Sequence, residues 1–514
     1  PHLQYICSMG IIQKQGVKSS FFIMIGFLIG AVNLLVLFPM FFSKNDQGLV
    51  RAMIDIGATL SVFCTLGTLP VVYKFFPFYN HYLGPKKNEL PFLTLIINLI
   101  GFALLIWIGW ENKNFIIRKL GKSPSLASYF NYVYPYTFFL MIFYWLEAFA
   151  WGLQKGVFTN FLRETAVRIL TTILILGVGL NWLNLDQFIL LFSGIYVIPT
   201  LLLIYNLSTS HEWSFRSFKI SSVTKRLKWK MLNFALFVFA GQFFNLLART
   251  NDTFMIVGLR GLSDAGIFAI ATYVAAIMEI PQRSLNAISI PVLAKSWKDK
   301  DFANIKHVYH KSVSNLLAIG LLLFGLIWLN IENLVAFLNW ISNNEGGGYD
   351  ALVPIIFIMG LAKLIDLATG VNGQIIGTSN FWKFDFISNL VFITTAIPLN
   401  FILIKHFGLT GLAISNLGTL FIFNLIRYLF LYNKFKFQPY QLKHLVLLMS
   451  FGSMVFLISL IPHVDNFVLD GVMRSIIYIV VFYAMVYWIK PAPELTNMFF
   501  DFLEKKNIKL LKRF

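Results

Sequence analysis

The sequence predicts an all-α polytopic membrane protein of about 14 transmembrane helices, arranged as two pseudo-symmetric six-helix lobes plus two C-terminal helices. Three observations predict it. Hydrophobic residues make up 57% of the chain and charged ones only 13%, with a mean hydropathy of +0.71, which is too apolar for a water-soluble globule. Apolar runs long enough to cross ~30 Å of hydrocarbon, about 20 residues each, recur along the whole length. The basic residues gather in short segments between those runs, on one side of the membrane.

The fourteen spans lie at 17–42, 48–74, 92–110, 131–154, 160–182, 186–206, 231–258, 264–294, 310–330, 350–376, 381–404, 408–432, 442–462 and 467–489. The first is too long for a signal-peptide core and lacks a small-residue cleavage pattern, so it is expected to stay as a signal anchor. Met9-Gly10 reads as a natural start, with 1–8 upstream of it. Placing the N-terminus inside and alternating puts 26 Lys and Arg residues on that side against nine on the other. Both termini are therefore expected in the cytoplasm, with the protein in a cytoplasmic (inner) membrane. The +19 formal charge is thus a topological signal, and no nucleic-acid partner is expected.

Spans 1 to 6 recur as spans 7 to 12. Asp46-Gln-Gly-Leu-Val matches Asp264-Ala-Gly-Ile-Phe, Leu69-Pro-Val-Val-Tyr-Lys74 matches Ile290-Pro-Val-Leu-Ala-Lys295, and Gly152-x3-Gly156 before Asn160-Phe161 matches Gly373-x3-Gly377 before Asn380-Phe381. Three matches in order, at offsets of 218 to 221 residues, argue for duplication. An even number of spans per unit makes the repeats parallel. The expected organisation is an N-lobe at 10–206, a basic cytoplasmic linker at 207–230, a C-lobe at 231–434, spans 13 and 14 at 442–489, and a tail at 490–514. In that tail Leu495, Met498, Phe499, Phe502, Leu503, Leu510 and Leu511 recur at helical spacing among lysines, the pattern of a helix lying on a membrane surface.

Catalytic and metal chemistry find no support. Gly121-Lys122-Ser123 lacks the first glycine of a phosphate-binding loop, since position 116 is Ile. His307 and His310 share a helix face without a nearby third ligand. Two cysteines, Cys7 and Cys64, cannot make a disulfide framework. No cofactor is expected, and transport fits better than catalysis.

The informative residues are charges inside spans, where a buried ionisable group is costly and marks a functional cavity or an ion pair. The deepest are Asp55, Glu147, Arg168, Arg249, Asp252, Glu279, Arg283, Lys363, Asp366 and Arg427, with Arg163, Glu164 and Asp385 nearer the cytoplasmic surface. Arg249 with Asp252, Lys363 with Asp366, Glu279 with Arg283 and Glu164 with Arg168 stand at i,i+3 or i,i+4, so each pair could neutralise itself along one helix face. Arg427, Asp55 and Glu147 are expected to lack such a partner. The repeat places Glu147 near the counterpart of Asp366, and Glu164 on that of Asp385, which favours a shared polar cavity.

At Asp252-Thr-Phe-Met-Ile-Val-Gly, Asp264-Ala-Gly-Ile-Phe-Ala-Ile-Ala, Ile280-Pro281, Ile290-Pro-Val-Leu-Ala and Gly408-Leu-Thr-Gly-Leu-Ala-Ile-Ser the chain resembles the polysaccharide exporters and O-antigen flippases of the multidrug/oligosaccharidyl-lipid/polysaccharide exporter superfamily. The resemblance covers Gly10 to about Tyr432 and implies a V-shaped pair of lobes around a cationic cavity, working by alternating access. It implies a polyprenyl-pyrophosphate-linked oligosaccharide as substrate, Na+ or H+ as a coupling ion, membrane lipids as surroundings, and a polysaccharide polymerase or glycosyltransferase as partner. Arg249, Arg283 and Lys363 are then the candidates for the pyrophosphate headgroup, by charge-assisted hydrogen bonds, and Asp252, Glu147 and Asp366 for counter-ions or coupling sites. Every one of these cations has a nearby acid, so the cavity is expected to be less positive than the resemblance implies. Two other readings compete: a Na+ or H+ coupled multidrug exporter of the same superfamily, against which spans 13 and 14 weigh, and a non-transporting scaffold for polysaccharide assembly.

Overall fold

The computed structural model describes residues 18–119, 121–209, 213–215, 220–342 and 348–491. The expected surface-lying tail after 491, the start near Met9 and part of the basic linker fall outside the described residues. Every ordered element among the described residues is helical, and each of the fourteen predicted spans is helical over most of its length. The protein is a multi-pass membrane protein. Nine helices among the described residues are individually long and apolar enough to cross a bilayer, ten if a pair bent by 51° counts as one span.

The shortfall from fourteen has physical causes. Span 8 is that bent pair, Leu262–Ala276 and Glu279–Lys298. Span 10 is split into Leu352–Ala368 and Asn372–Gly377. Spans 11 and 12 run together as Trp382–Phe435 and part only at Gly408, whose φ of 62° and ψ of −142° suit a residue without a Cβ. Span 5, at 156–179, carries Arg163, Glu164 and Arg168 and winds as a π-helix over Phe161–Ala166, an irregularity often found at functional sites.

The chain divides into two compact units. The first comprises Pro1–Gly266 with Ile341–Asn344, and the second Ile267–Trp340 with Glu345–Phe514. Span 7, Ser222–Leu259, thus packs with the N-terminal spans.

In the first unit the interior is built on span 2 (Lys44–Cys64) and span 4 (Val133–Gly152), which alternate with more peripheral helices; about two thirds of each is buried, 67%. Span 7 is fastened to span 2 by Thr253 Oγ1 donating to Asp55 Oδ2 at 2.5 Å and by a 3.2 Å contact between the Thr250 and Thr59 hydroxyls. Gly48 and Gly266 pack backbone to backbone: a Cβ on Gly48 would strike the Leu262 carbonyl, and one on Gly266 the Lys44 carbonyl. These glycines are the third residues of the two Asp-x-Gly motifs, so the repeated motif packs against its own copy, with glycine allowing the close approach.

In the second unit, span 9 (Phe302–Leu329) is the central helix. Leu317, Leu321 and Phe324 from it, Leu364 and Leu367 from span 10, Phe451 and Met454 from span 13 and Tyr478 and Phe482 from span 14 form one core. Tyr478 donates to the Leu321 carbonyl at 2.7 Å. The 13–14 hairpin is closed by a buried pair, Arg474 Nε to Asp470 Oδ2 at 2.7 Å, whose guanidinium also donates to the Ile458 and Ile461 carbonyls at 3.2 and 2.7 Å. Spans 11 to 14 are otherwise peripheral, 22–28% buried, and their apolar outer faces suit lipid.

Candidate substrate and ion site

Glu279 opens the second helix of span 8, and its two carboxylate oxygens receive two different cations. Arg283, one turn on, donates Nη2 to Oε2 at 2.7 Å, and Lys363 of span 10 reaches Oε1. The Arg283–Glu279 pair is the i,i+4 pair expected from sequence. The expected Lys363–Asp366 pair is not formed, because Lys363 extends to Glu279 on the neighbouring helix; a cation N-terminal to its acid is also the weaker orientation within a helix. The Arg283 side chain is 73% exposed and that of Lys363 25%, so one acid holds two cations within reach of a ligand.

Asp366 is held differently. It accepts from Gln282 Nε2 and from Asn424 Nδ2, both at 2.9 Å, and both partners are neutral amides. The Asn424 Oδ1 in turn accepts from the Thr369 hydroxyl at 2.8 Å and from Asn372 Nδ2 at 3.0 Å. One turn beyond Asn424, Arg427 pairs with Asp385 of span 11 and lays its guanidinium over the Phe423 ring, 3.9 Å from the centroid. Gly373 lies against this guanidinium, where a Cβ would come within 2.7 Å of Nη1.

The first unit carries a linear chain of charges. Arg163 Nη1 donates to both oxygens of Glu147 at 3.1 and 3.2 Å, its Nε reaches Glu164 at 3.2 Å, and the other Glu164 oxygen meets Arg168 at 3.2 Å. The expected Glu164–Arg168 pair is therefore present. The π-helical turn that carries Arg163 and Glu164 is braced on span 1, with Thr165 Oγ1 donating to the Phe22 carbonyl at 2.7 Å and Asn33 Nδ2 to the Arg168 carbonyl at 3.0 Å. Asp55 takes Arg51 Nε at 2.7 Å.

Of the three residues expected to lack an i,i+3 or i,i+4 partner, Arg427 and Glu147 do lack one and pair across helices instead, while Asp55 has one. Arg427 has Asp385, forty-two residues away in sequence, and Glu147 has Arg163. Asp55 has Arg51, an i,i+4 neighbour near the start of span 2. Of the other site candidates, Asp252 is half-buried on span 7, and the Arg249 side chain lies outside the described residues although its backbone is helical. Arg283 and Lys363 meet on Glu279, and Asp366 is joined to the same helix through Gln282. Gln282, Asn424, Thr369 and Asn372 were not singled out from sequence. Their signal was weak: neutral polar residues in apolar spans, three of them a turn from a charge.

The described helices thus gather their intramembrane ionisable groups into partnered clusters, one centred on Glu279 and one on Glu147 and Glu164. Among solved structures, the chain is similar to the lipid II flippase MurJ in an inward closed conformation, with a TM-score of 0.68 and 16% identity, over 92% of this chain and 99% of that one. It is also similar to an inward-facing multidrug resistance MATE family transporter of the MOP superfamily, with a TM-score of 0.65 and 12% identity, over 78% of this chain and 93% of that one. The Vibrio cholerae MATE transporter VcmN in its bent form follows, with a TM-score of 0.52 and 12% identity, over 82% of this chain and 97% of that one. No protein-family profile matches the chain, and no curated protein sequence is similar to it. At these identities the likeness is one of fold: the chain shares the fold of these flippase and MATE transporter structures.

Proposed function

We propose that the protein is a flippase that translocates a polyprenyl-pyrophosphate-linked oligosaccharide across the cytoplasmic membrane for cell-surface polysaccharide biosynthesis, by alternating access of two lobes. The observation that carries this reading is the extent of the fold match. The likeness to a lipid II flippase takes in 92% of the chain, whereas the multidrug transporters leave about a fifth of it unmatched, at 78% and 82% coverage.

The site chemistry supports the same reading. Arg283 and Lys363 share one acid, which leaves a surplus positive charge; an arriving pyrophosphate can take charge-assisted hydrogen bonds from both without stripping Glu279 of its partners. Arg249, on span 7, is the third headgroup candidate from the sequence. Asp366, whose hydrogen-bond partners among the described residues are neutral amides, is the acid best suited to a Na+ or H+, because binding either would not first have to break a direct ion pair. Glu147 and Asp252 complete the set of acids. Both termini are cytoplasmic in this reading, and a polymerase or glycosyltransferase is the natural partner for handing over the product.

The test is replacement of Arg283 and Lys363 by Ala, singly and together, in the native host, with surface glycan and lipid-linked intermediate measured side by side. The flippase reading expects glycan to fall and the intermediate to accumulate. Normal surface glycan in a deletion strain, together with ion-driven dye efflux by the purified protein, would instead establish the multidrug exporter. Unchanged export in the double variant would favour a scaffold whose charges are structural.

A further inference from the structure

Each unit contains a groove of similar build at the end of its sixth-span helix. In the first unit a cavity of about 540 Å³ is lined by Phe22, Phe158, Phe161, Lys155 and Asn206. In the second, one of about 460 Å³ is lined by Phe384, Phe430, Ile426, Asn433 and Lys434. Both volumes fall in the range of small-ligand sites. Each is walled by a packed pair of phenylalanine rings, Phe22 with Phe161 at 5.1 Å and Phe384 with Phe430 at 3.9 Å between centroids. Each has one lysine and one asparagine among its lining residues.

The two grooves lie beside similar stretches of the two repeats, although the first draws its phenylalanine pair from spans 1 and 5 and the second from spans 11 and 12. Ile204-Tyr-Asn206 at the end of span 6 recurs as Leu431-Tyr-Asn433 at the end of span 12, and Asn160-Phe161 recurs as Asn380-Phe381. Phe381 packs on Phe430 at 5.7 Å, and the Lys434 ammonium lies over the Phe381 ring, 5.3 Å from its centroid. Lys155 donates to the Asn206 carbonyl at 2.8 Å, which brings its ammonium to the end of span 6, and Asn206 Oδ1 is buried without a partner among the described residues. The lysines come from different elements, the loop before span 5 and the end of span 12, yet each lines a groove of similar composition. Counting spans puts both on the lysine-rich side of the membrane.

From this pairing we infer that the two grooves are binding sites for anionic phospholipids of the surrounding leaflet, with the lipid phosphate on Lys155 or Lys434 and an acyl chain against the phenylalanine pair. An ammonium over an apolar wall complements a molecule that carries a phosphate and a hydrocarbon chain together, and basic pockets between helices on the cytoplasmic side are the places where lipid headgroups bind. Duplication favours a bilayer component over the substrate, since a lipid present throughout the leaflet can fill both grooves at once. The inference needs only that the protein is membrane-embedded, so it stands whether or not the flippase reading does.

Native mass spectrometry of the full-length protein, titrated with phosphatidylglycerol or phosphatidylcholine, tests it. Wild type should retain two phosphatidylglycerols in preference to phosphatidylcholine. Lys155→Glu and Lys434→Glu should each lose one, and the double variant should fall at least tenfold in doubly bound protein, whereas Lys155→Arg with Lys434→Arg should keep both. Should Lys155→Glu not fold, Lys155→Gln keeps a donor for the Asn206 carbonyl while removing the charge, and should lose the same lipid. Undiminished lipid retention in a folded double variant, or equal retention of phosphatidylcholine, would overturn the inference. Displacement of the lipid by millimolar inorganic phosphate would reassign the grooves as simple anion sites, and displacement from both by a polyprenyl phosphate would reassign them to the substrate.

Discussion

The two units handle buried charge in opposite ways. In the first, Glu147, Arg163, Glu164 and Arg168 alternate in sign along one chain of contacts, so every charge is neutralised by its neighbours. In the second, Arg283 and Lys363 crowd onto Glu279 while Asp366 hydrogen-bonds, among the described residues, to two neutral amides. The groups are comparable; the difference is how they are distributed. An alternating chain holds helices together and leaves nothing to offer, whereas separated surpluses of charge are disposed to meet an anion at one end and a cation at the other.

That comparison breaks most sharply if the first unit's chain is not structural. Arg163→Ala would leave Glu147, whose side chain is 3% exposed, without its cation, and removing one partner of a buried pair costs about 3–5 kcal/mol. A clear fall in melting temperature and in the yield of folded protein is expected, with partial recovery on adding Glu147→Gln. A stable, inactive Arg163→Ala protein would instead move the working site into the first unit.

The second unit should show the reverse pattern. Arg283→Ala or Lys363→Ala leaves Glu279 one cation, so melting should change little, while each loses a charge-assisted contact worth about 1.5–3 kcal/mol to the headgroup. Transport should drop roughly tenfold to a hundredfold. Asp366→Asn keeps the shape of the side chain and removes its charge; flipping should lose its dependence on a Na+ or H+ gradient while headgroup binding persists, as measured in proteoliposomes with and without the gradient. The smallest effect expected is for Thr253→Val, which removes one hydrogen bond to Asp55 and should cost about 1 kcal/mol of stability, since Asp55 keeps Arg51.

Much of this was legible in the chain, because hydrocarbon permits so few solutions. Apolar length placed the helices, including the break at Gly408 between spans 11 and 12, and the Asp-x-Gly motif repeated at 46 and 264 brings together the two glycines that pack on one another. Apart from Arg51–Asp55, what was lost lay beyond one turn of helix. Spacing found Glu279–Arg283 and Glu164–Arg168, but Arg427–Asp385, Arg163–Glu147 and Lys363–Glu279 join different helices, and no local rule foretells which neighbour a long side chain will reach. Pro281, a kink signal in the sequence, stands beside the bend in span 8, whereas the break in span 10 was hidden, since hydropathy reports the length of an apolar run and not its straightness.

The most direct test follows a fluorescent polyprenyl-pyrophosphate-linked oligosaccharide from one leaflet to the other in proteoliposomes of the purified protein, comparing wild type with the Arg283→Ala, Lys363→Ala double variant. Translocation by wild type and its loss in a double variant that melts normally is the predicted result. No translocation by wild type under any ion gradient, or equal translocation by both proteins, would contradict it.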